Sequence, residues 1–284
     1  NEKLFTFYLD EFETKLFDLP EGVYTCLIEN EDCEEQILTP GMDDEIFSRT
    51  KVPMTKNEVR VLSISRLELT KKAVVYDVGS GTGSVSVECA RLSPDIVVFA
   101  IEQKEEAANL TKENAVRLGL SDQIMVINKK APEGFEELPT PTHVFIGGSS
   151  GALSDILSAI QKKLIVKENT KGVRVVINAV SLETIAQITK LIQTYPVKHV
   201  QLTQIQASRA HKLGSYNLMQ AQNPVLMHHL ICCQMIRWKQ MNKIVRKQLH
   251  GKYKNSKKGG AYYDCSAPKR ERKDINHMCI AAGT

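Results

Sequence analysis

The stretch Val74-Val75-Tyr76-Asp77-Val78-Gly79-Ser80-Gly81-Thr82-Gly83-Ser84 constrains this chain more than any other. A β-branched run that ends in three glycines reads as a buried strand turning sharply into a helix. Glycine reaches the left-handed backbone region at little steric cost and lets a ligand approach the main chain. A helix that starts there offers unpaired N–H donors. The same rhythm continues, with strands expected at Ala73–Asp77, Ile96–Glu102, Ile124–Asn128, His143–Ile146 and Val173–Ala179. Between them Glu105–Leu118 reads as a helix with Gly119 as its C-cap, and Leu182, Ile185, Ile188 and Ile192 mark another. Alternating strands and helices predict an α/β fold: a doubly wound, mostly parallel sheet covered on both faces.

After Pro196 the rhythm changes. Val197–Ala207 and Ser215–Ala221 both read as strands joined by the polar turn Ser208–Gly214, so the sheet is expected to end in an antiparallel hairpin. Ahead of the first strand, Thr55-Lys56-Asn57-Glu58 has the form of a capping box, with Thr55 as N-cap.

Charge patterning sets the boundaries. Residues 1–50 carry fourteen acids against three bases, and residues 235–284 carry thirteen bases against three acids. Such blocks are solvated flanks, which leaves a folded domain at 47–234 between an acidic flank, 1–46, and a basic, flexible tail, 235–284. The seven cysteines are irregularly spaced without a CxxC pair, so free thiols are expected, with neither a metal ligand set nor a disulfide framework. The apolar runs at Pro224–Cys233 and Val173–Val180 are too short to span a bilayer, and no secretory signal is visible, so a cytoplasmic protein without membrane attachment is expected. The chain begins at Asn1, which reads as a processed or truncated piece of something longer.

The glycine loop does not fit the dinucleotide fingerprint, whose third glycine belongs at position 84, nor the nucleoside triphosphate loop. Its DxGxGxG form resembles motif I of class I methyltransferases, which implies S-adenosylmethionine as cofactor and Asp77 near its ammonium. Glu102 closes the next strand, 25 residues after Asp77, where a carboxylate can accept both ribose hydroxyls. The plainer alternative for Glu102 is a carboxylate favoured by the helix dipole that follows it.

Further motifs narrow the resemblance. Lys51–Lys56, the glycine loop, Ala131-Pro132-Glu133, Phe145-Ile146-Gly147-Gly148-Ser149, Ile177-Asn178-Ala179-Val180 with Leu182-Glu183-Thr184, and Ala221-Gln222-Asn223-Pro224-Val225 occur in one order. Together they resemble the decarboxylating precorrin C15-methyltransferases of cobalamin biosynthesis. The resemblance implies cofactor contacts at Thr55, Asp77, Gly79, Ser80, Gly81, Thr82, Gly83, Glu102 and Ala131, and it implies a tetramer. Lys130 stands where methyltransferases often place an acid near the adenine, so only a backbone contact from Ala131 is expected there. Gly147 and Gly148 replace the proline-aromatic turn of base-methylating enzymes and leave room for a large flat substrate.

A tetrapyrrole carries many carboxylates, so its site should be basic. Arg49, Lys51, Arg209 and Lys212, with Gly147, Gly148 and Asn178, are the substrate-binding candidates; solvated loop charges are the alternative. His143, His199, His228 and His229 lie in or beside apolar runs and read as structural. No catalytic acid or base is assigned. The rival readings are a tRNA adenine methyltransferase, which the basic tail favours, and an RNA- or partner-binding module on an inactive methyltransferase fold. Val23–Asn30 and the acids after it weakly resemble the end of a C5-methyltransferase domain, which makes 1–46 the expected remnant of a fused upstream partner domain.

Overall fold

The computed structural model describes residues 39–166 and 172–232, together with Phe5, Thr6, Glu11 and Ile37. Contacts divide the chain after Ile37, and the fold below belongs to the unit that follows. The acidic stretch before residue 37 lies almost wholly outside the described residues, and the basic tail lies entirely outside them.

Five parallel strands form the body of the sheet: β1 (Val74–Val78), β2 (Val97–Ile101), β3 (Ile124–Ile127), β4 (His143–Ile146) and β5 (Val173–Ala179). Each was expected from its β-branched run, to within two residues at either end. The helices are α1 (Asn57–Leu67), α2 (Ser84–Ala90), α3 (Glu105–Arg117), α4 (Leu153–Val166) and α5 (Leu182–Thr194). Alternate strand residues feed two separate cores. Val75, Val98, Ala100, Phe145 and Val176 pack with α1, α2 and α3 on one face. Tyr76, Val78, Phe99, Ile101 and Val144 pack with α4 and α5 on the other.

Local chemistry explains several element ends. On α4, Leu153, Ile156, Leu157, Ile160 and Leu164 recur at three- and four-residue steps and are fully buried, each worth roughly 1.5–3 kcal/mol of apolar transfer. The end of α3 is a Schellman turn: Gly119 has φ +69°, its N–H reaches the Val116 carbonyl, and the Leu120 N–H reaches the Ala115 carbonyl. Gly119 therefore stops the helix as expected.

Two local expectations are corrected. Thr55 is not the cap of α1. The N-cap residue is Lys56, without a side-chain cap bond, and the first-turn Asn57 N–H goes to Asp44 Oδ1 at 3.1 Å. A carboxylate thirteen residues upstream does the capping, and a four-residue pattern cannot register it. The C-terminal pairing also differs. The antiparallel end of the sheet exists, but its strands are β6 (Val197–Ile205) and β9 (Val225–Cys232), with β9 between β5 and β6. The expected partner of β6, Tyr216–Ala221 (β8), instead pairs with Ser208–Leu213 (β7) in a separate two-stranded sheet. Ser208–Leu213 looks like a turn because it is polar, and it is polar because this hairpin is solvated on both faces. Of the apolar run at Pro224–Cys233, Val225–Cys232 form a largely buried strand between β5 and β6, and Cys233 lies outside the described residues.

The order β3-β2-β1-β4-β5-β9-β6 reverses direction between β1 and β4. In open α/β sheets this switch point opens a crevice beyond the carboxyl ends of the strands. Among the described residues no helix is long and apolar enough to cross a membrane.

Candidate active site

A cavity of about 490 Å³ opens at that switch point. Its walls are the chain just after β1, β2, β3 and β4, which run parallel and end at one level, together with residues 51–53 ahead of α1. Gly79, Glu102, Ala131, Gly147, Gly148 and Lys51 all line it. Six of the residues singled out in the sequence thus meet in one cleft, of a size that suits a small-molecule cofactor.

The glycine loop is held from several sides. The Gly79 N–H donates to the Ile101 carbonyl at 2.8 Å, and the Gly83 N–H to the Ser80 carbonyl at 2.8 Å. Gly79, Gly81 and Gly83 have φ values of +74°, +59° and +76°. A Cβ on Gly79 would lie 2.6 Å from the Gly148 carbonyl oxygen, one on Gly81 2.8 Å from the Pro53 carbonyl oxygen, and one on Gly83 2.7 Å from the Thr111 methyl. All three glycines are therefore required by the protein's own packing, before any ligand is considered. That is a stronger constraint than ligand approach alone.

Glu102 sits in the wall, 9% exposed. Its Oε2 accepts the Gly81 N–H at 3.1 Å, and its Oε1 accepts the Lys104 N–H at 2.9 Å. The second bond satisfies the N-cap residue of α3, so the helix-terminus alternative is realised alongside whatever else the carboxylate does. Asp77 lies fully buried at the end of β1. Ser86 donates to its Oδ2 at 2.6 Å, while Oδ1 has no protein partner. Burial pushes the Asp77 carboxyl up to about 7, against the Ser86 hydrogen bond, which lowers it. Ser80 shares a 3.2 Å hydrogen bond with Thr111, and Thr82 is buried with its carbonyl on Asn114 and its own hydroxyl unpartnered.

The remaining candidates disperse. Arg49 is exposed beside Lys51, and the Thr55 carbonyl accepts Arg60 Nη1 at 2.7 Å. Asn178, one residue past the β4–β5 register pair Ile146–Ile177, donates to Ser63 at 2.9 Å. Arg209, on β7, grips Glu58 with two bonds of 2.7 Å and reaches Asp44 at 2.9 Å. Lys212 lies exposed further along the same hairpin. Neither Arg209 nor Lys212 lines the cleft. The buried histidines are placed as structural groups: burial lowers His143 to about 4 and moves His228 and His229 the same way.

Lys104, Lys129, Gln103 and Ser150 also line the cleft and were not singled out. Gln103 donates to Ser150 at 2.8 Å, joining the loops after β2 and β4. The signal that could have found them is topological: residues one to four places beyond a parallel strand at the switch point face the crevice. With Lys51 and Lys130, two of them make four lysines around the opening, against the acids Glu102 and Glu106.

A switch-point cleft walled by a three-glycine loop and a strand-end carboxylate on this strand order defines a class I methyltransferase, for which S-adenosylmethionine is the methyl donor. The residues present fit that cofactor: Glu102 offers a carboxylate at the wall, and Asp77, fully buried and not itself part of the cleft lining, keeps one oxygen unpartnered two residues before Gly79. The family description "precorrin methyltransferase domain" matches residues 45–231. A probable cobalt-precorrin-6B C(15)-methyltransferase (decarboxylating) of Pyrobaculum calidifontis is 39% identical over 189 residues, covering 66% of this chain and 93% of the relative. Its counterpart in Saccharolobus solfataricus is 32% identical over 68% of this chain and 96% of its own length. Among solved structures, the precorrin-6Y C5,15-methyltransferase of Geobacter metallireducens superposes with a TM-score of 0.61 at 30% identity, over 68% of this chain and 96% of that one. The tRNA (m1A58) methyltransferase of Aquifex aeolicus has a TM-score of 0.51 at 15% identity, over 67% of this chain and 76% of that one, which shows the shared fold alone. The chain belongs to the precorrin methyltransferase domain family.

Proposed function

We propose that this chain methylates carbon 15 of a precorrin or cobalt-precorrin macrocycle and decarboxylates the ring C acetate, whose carboxyl group leaves as carbon dioxide, a step of cobalamin biosynthesis. The observation that carries this reading is the family match over residues 45–231, which contain the whole cleft lining, with Gly79 of the glycine loop and Glu102 in its wall. When bound, S-adenosylmethionine supplies an electrophilic methyl group. Glu102 would accept the ribose hydroxyls, Asp77 would face the ammonium or its water, and the segments at Thr55, Gly79–Gly83 and Ala131 would form the rest of the cofactor wall. The substrate carbon is itself electron-rich, so the chain's task is orientation, which alone can supply roughly 7–11 kcal/mol of barrier lowering. In decarboxylation the acetate C–C bond breaks and its electrons pass into the conjugated macrocycle, which takes up a proton in return.

The four lysines at the rim suit a polycarboxylate, with Gly147 and Gly148 leaving space above the loop. Arg49, Arg209 and Lys212, as cations suited to substrate carboxylates, and Asn178 remain substrate candidates. The functional domain is 47–234; residues 1–46 are read as the remnant of a C5-methyltransferase partner domain and 235–284 as an accessory basic tail. We further propose a cytoplasmic homo-oligomer, a tetramer by resemblance. The β7–β8 hairpin supports self-association: an isolated two-stranded sheet is marginal in water, and this one exposes Leu213, Tyr216, Leu218 and Met219. Mass spectrometry of a precorrin substrate incubated with the protein and S-adenosylmethionine tests the function. Gain of one methyl with loss of carbon dioxide is the expected result, and an unchanged macrocycle despite cofactor binding would overturn it.

A further inference from the structure

Residues 44–53 run as a strap to the glycine loop, where Pro53 meets Gly81, and a buried side chain on α3 holds the middle of the strap. Asn114, on α3, is fully buried. Its Oδ1 accepts the Ser48 N–H at 2.7 Å, and its Nδ2 donates to the Ser48 carbonyl at 3.0 Å. The amide thus pairs with both main-chain groups of one strap residue, as a neighbouring strand would. The second Nδ2 proton goes to the Thr82 carbonyl at 2.8 Å, inside the glycine loop. Arg117, one turn further along α3, donates to Asn114 Oδ1 at 3.2 Å and also to the Ile46 carbonyl. Two donors and two lone pairs are the full capacity of a carboxamide, and all four positions are used.

The strap segment so held reaches the cleft. Lys51, Val52 and Pro53 line it, and the Pro53 carbonyl is the group that excludes a Cβ from Gly81. From the solvent side, the strap is tied once more to α3, where Thr50 donates to Glu106 at 2.6 Å. Thr111, three residues before Asn114, donates to the Gly81 carbonyl at 3.0 Å. One face of α3 therefore fixes the glycine loop and the strap that meets it.

We propose that Asn114 is a positioning residue for the cofactor site: through Ser48 and Thr82 it sets strap and glycine loop in register, so that the site is formed before the methyl donor arrives. The proposal rests on the cofactor reading above. It also explains why a polar side chain is tolerated at a fully buried helical position, since an amide there without all its partners would be costly.

The test uses the full chain, with Asn114→Ala, Asn114→Asp and the exposed control Thr50→Val. Two readouts are needed: S-adenosylmethionine affinity by calorimetry, and the rate of tryptic cleavage after Arg49 and Lys51, both exposed on the strap. Asn114→Asp keeps the acceptor and loses both donors, so it should bind the donor at least about ten-fold more weakly, as expected when the bonds to the Ser48 and Thr82 carbonyls are both lost. In both Asn114 variants the strap should be cut faster before any ligand is added, and the ligand should protect it less. Thr50→Val, which leaves the buried amide in place, should shift both readouts in the same direction but by less. Asn114→Asp, which retains the acceptor, keeps the proposal testable if Asn114→Ala does not fold. Wild-type affinity and cleavage rate in Asn114→Asp would overturn the proposal while leaving the cofactor reading intact. A wild-type chain that does not bind S-adenosylmethionine would overturn the cofactor reading and this inference with it, whereas the unliganded cleavage rates would still report whether Asn114 holds the strap.

Discussion

Glu102 and Gly81 are joined by a 3.1 Å hydrogen bond from the glycine N–H to the carboxylate Oε2. The wall carboxylate therefore also braces the loop it faces. Replacing Glu102 by Ala should cost cofactor affinity twice, through lost ligand contacts and through a loosened loop. Each charge-assisted bond is worth roughly 1.5–3 kcal/mol, so the dissociation constant should rise by about 10- to 100-fold or more. Calorimetric titration with S-adenosylmethionine reads this directly, and unchanged affinity would remove Glu102 from the cofactor wall.

Gly81 and Gly119 make a matched pair for testing what the loop glycines are for. Both have positive φ, +59° and +69°, but a Cβ on Gly81 meets Pro53 whereas one on Gly119 meets nothing within 4 Å. Gly119→Ala should cost only the left-handed penalty, about 1–2 kcal/mol. Gly81→Val should add steric displacement of the strap and abolish donor binding. Denaturant melts beside binding titrations separate the two effects. A Gly81→Val protein that still binds tightly would refute the loop assignment.

Two buried groups give opposite pH slopes. Asp77 is raised to about 7 by burial, so the folded state holds a proton that the unfolded chain releases near 4; stability from this group is full below about pH 4 and is lost as pH climbs to 7. His143 is lowered to about 4, so the unfolded chain takes up a proton first, and stability falls as pH drops from about 6.5 towards 4. Asp77→Asn should remove the first slope and raise the melting temperature at pH 8. An unchanged pH profile in that variant would mean that Asp77 is ionised throughout.

Arg209 is the hairpin's ionic anchor, bound to Glu58 and Asp44. Its own side chain and that of Glu58 are about two-fifths exposed, so solvent screening limits Arg209→Ala to roughly 1–2 kcal/mol of stability. Arg209→Lys should recover only part of this, because a point charge cannot make the two-bond grip on Glu58. If Arg209 also meets substrate, Arg209→Ala will raise the substrate KM at unchanged cofactor affinity. Stability loss with an unaltered KM would confine it to anchoring.

The body of the fold was legible because its signals are local. Val74–Val78 is a mostly β-branched run buried on both faces, and Gly79, Gly81 and Gly83 mark the turn that follows it at the switch point. Glu102 could be picked out because a strand end is a fixed place. What escaped depends on distance in sequence. Asp44 caps α1 at Asn57, holds Arg60 on the same helix and meets Arg209 on β7, contacts from two distant parts of the chain. Asn114 sits among apolar helix positions as if by exception, and only Ser48 and Thr82 explain it. The hairpin was mispaired because polarity reports solvent exposure and not whether a residue is in a strand.

The position of β9 also orders the birth of the fold. Within its sheet β6 pairs only with β9, yet β9 is made last of the described strands. While the chain is being synthesised, β1 to β5 can pair as they emerge, but β6 must wait with no neighbour until Val225–Cys232 leaves the ribosome and slides in beside β5. A ribosome stalled before that point would present an open flank on β5 and a stray β6, both ready to accept a foreign strand. The last strand covers the flank of β5 and gives β6 its partner.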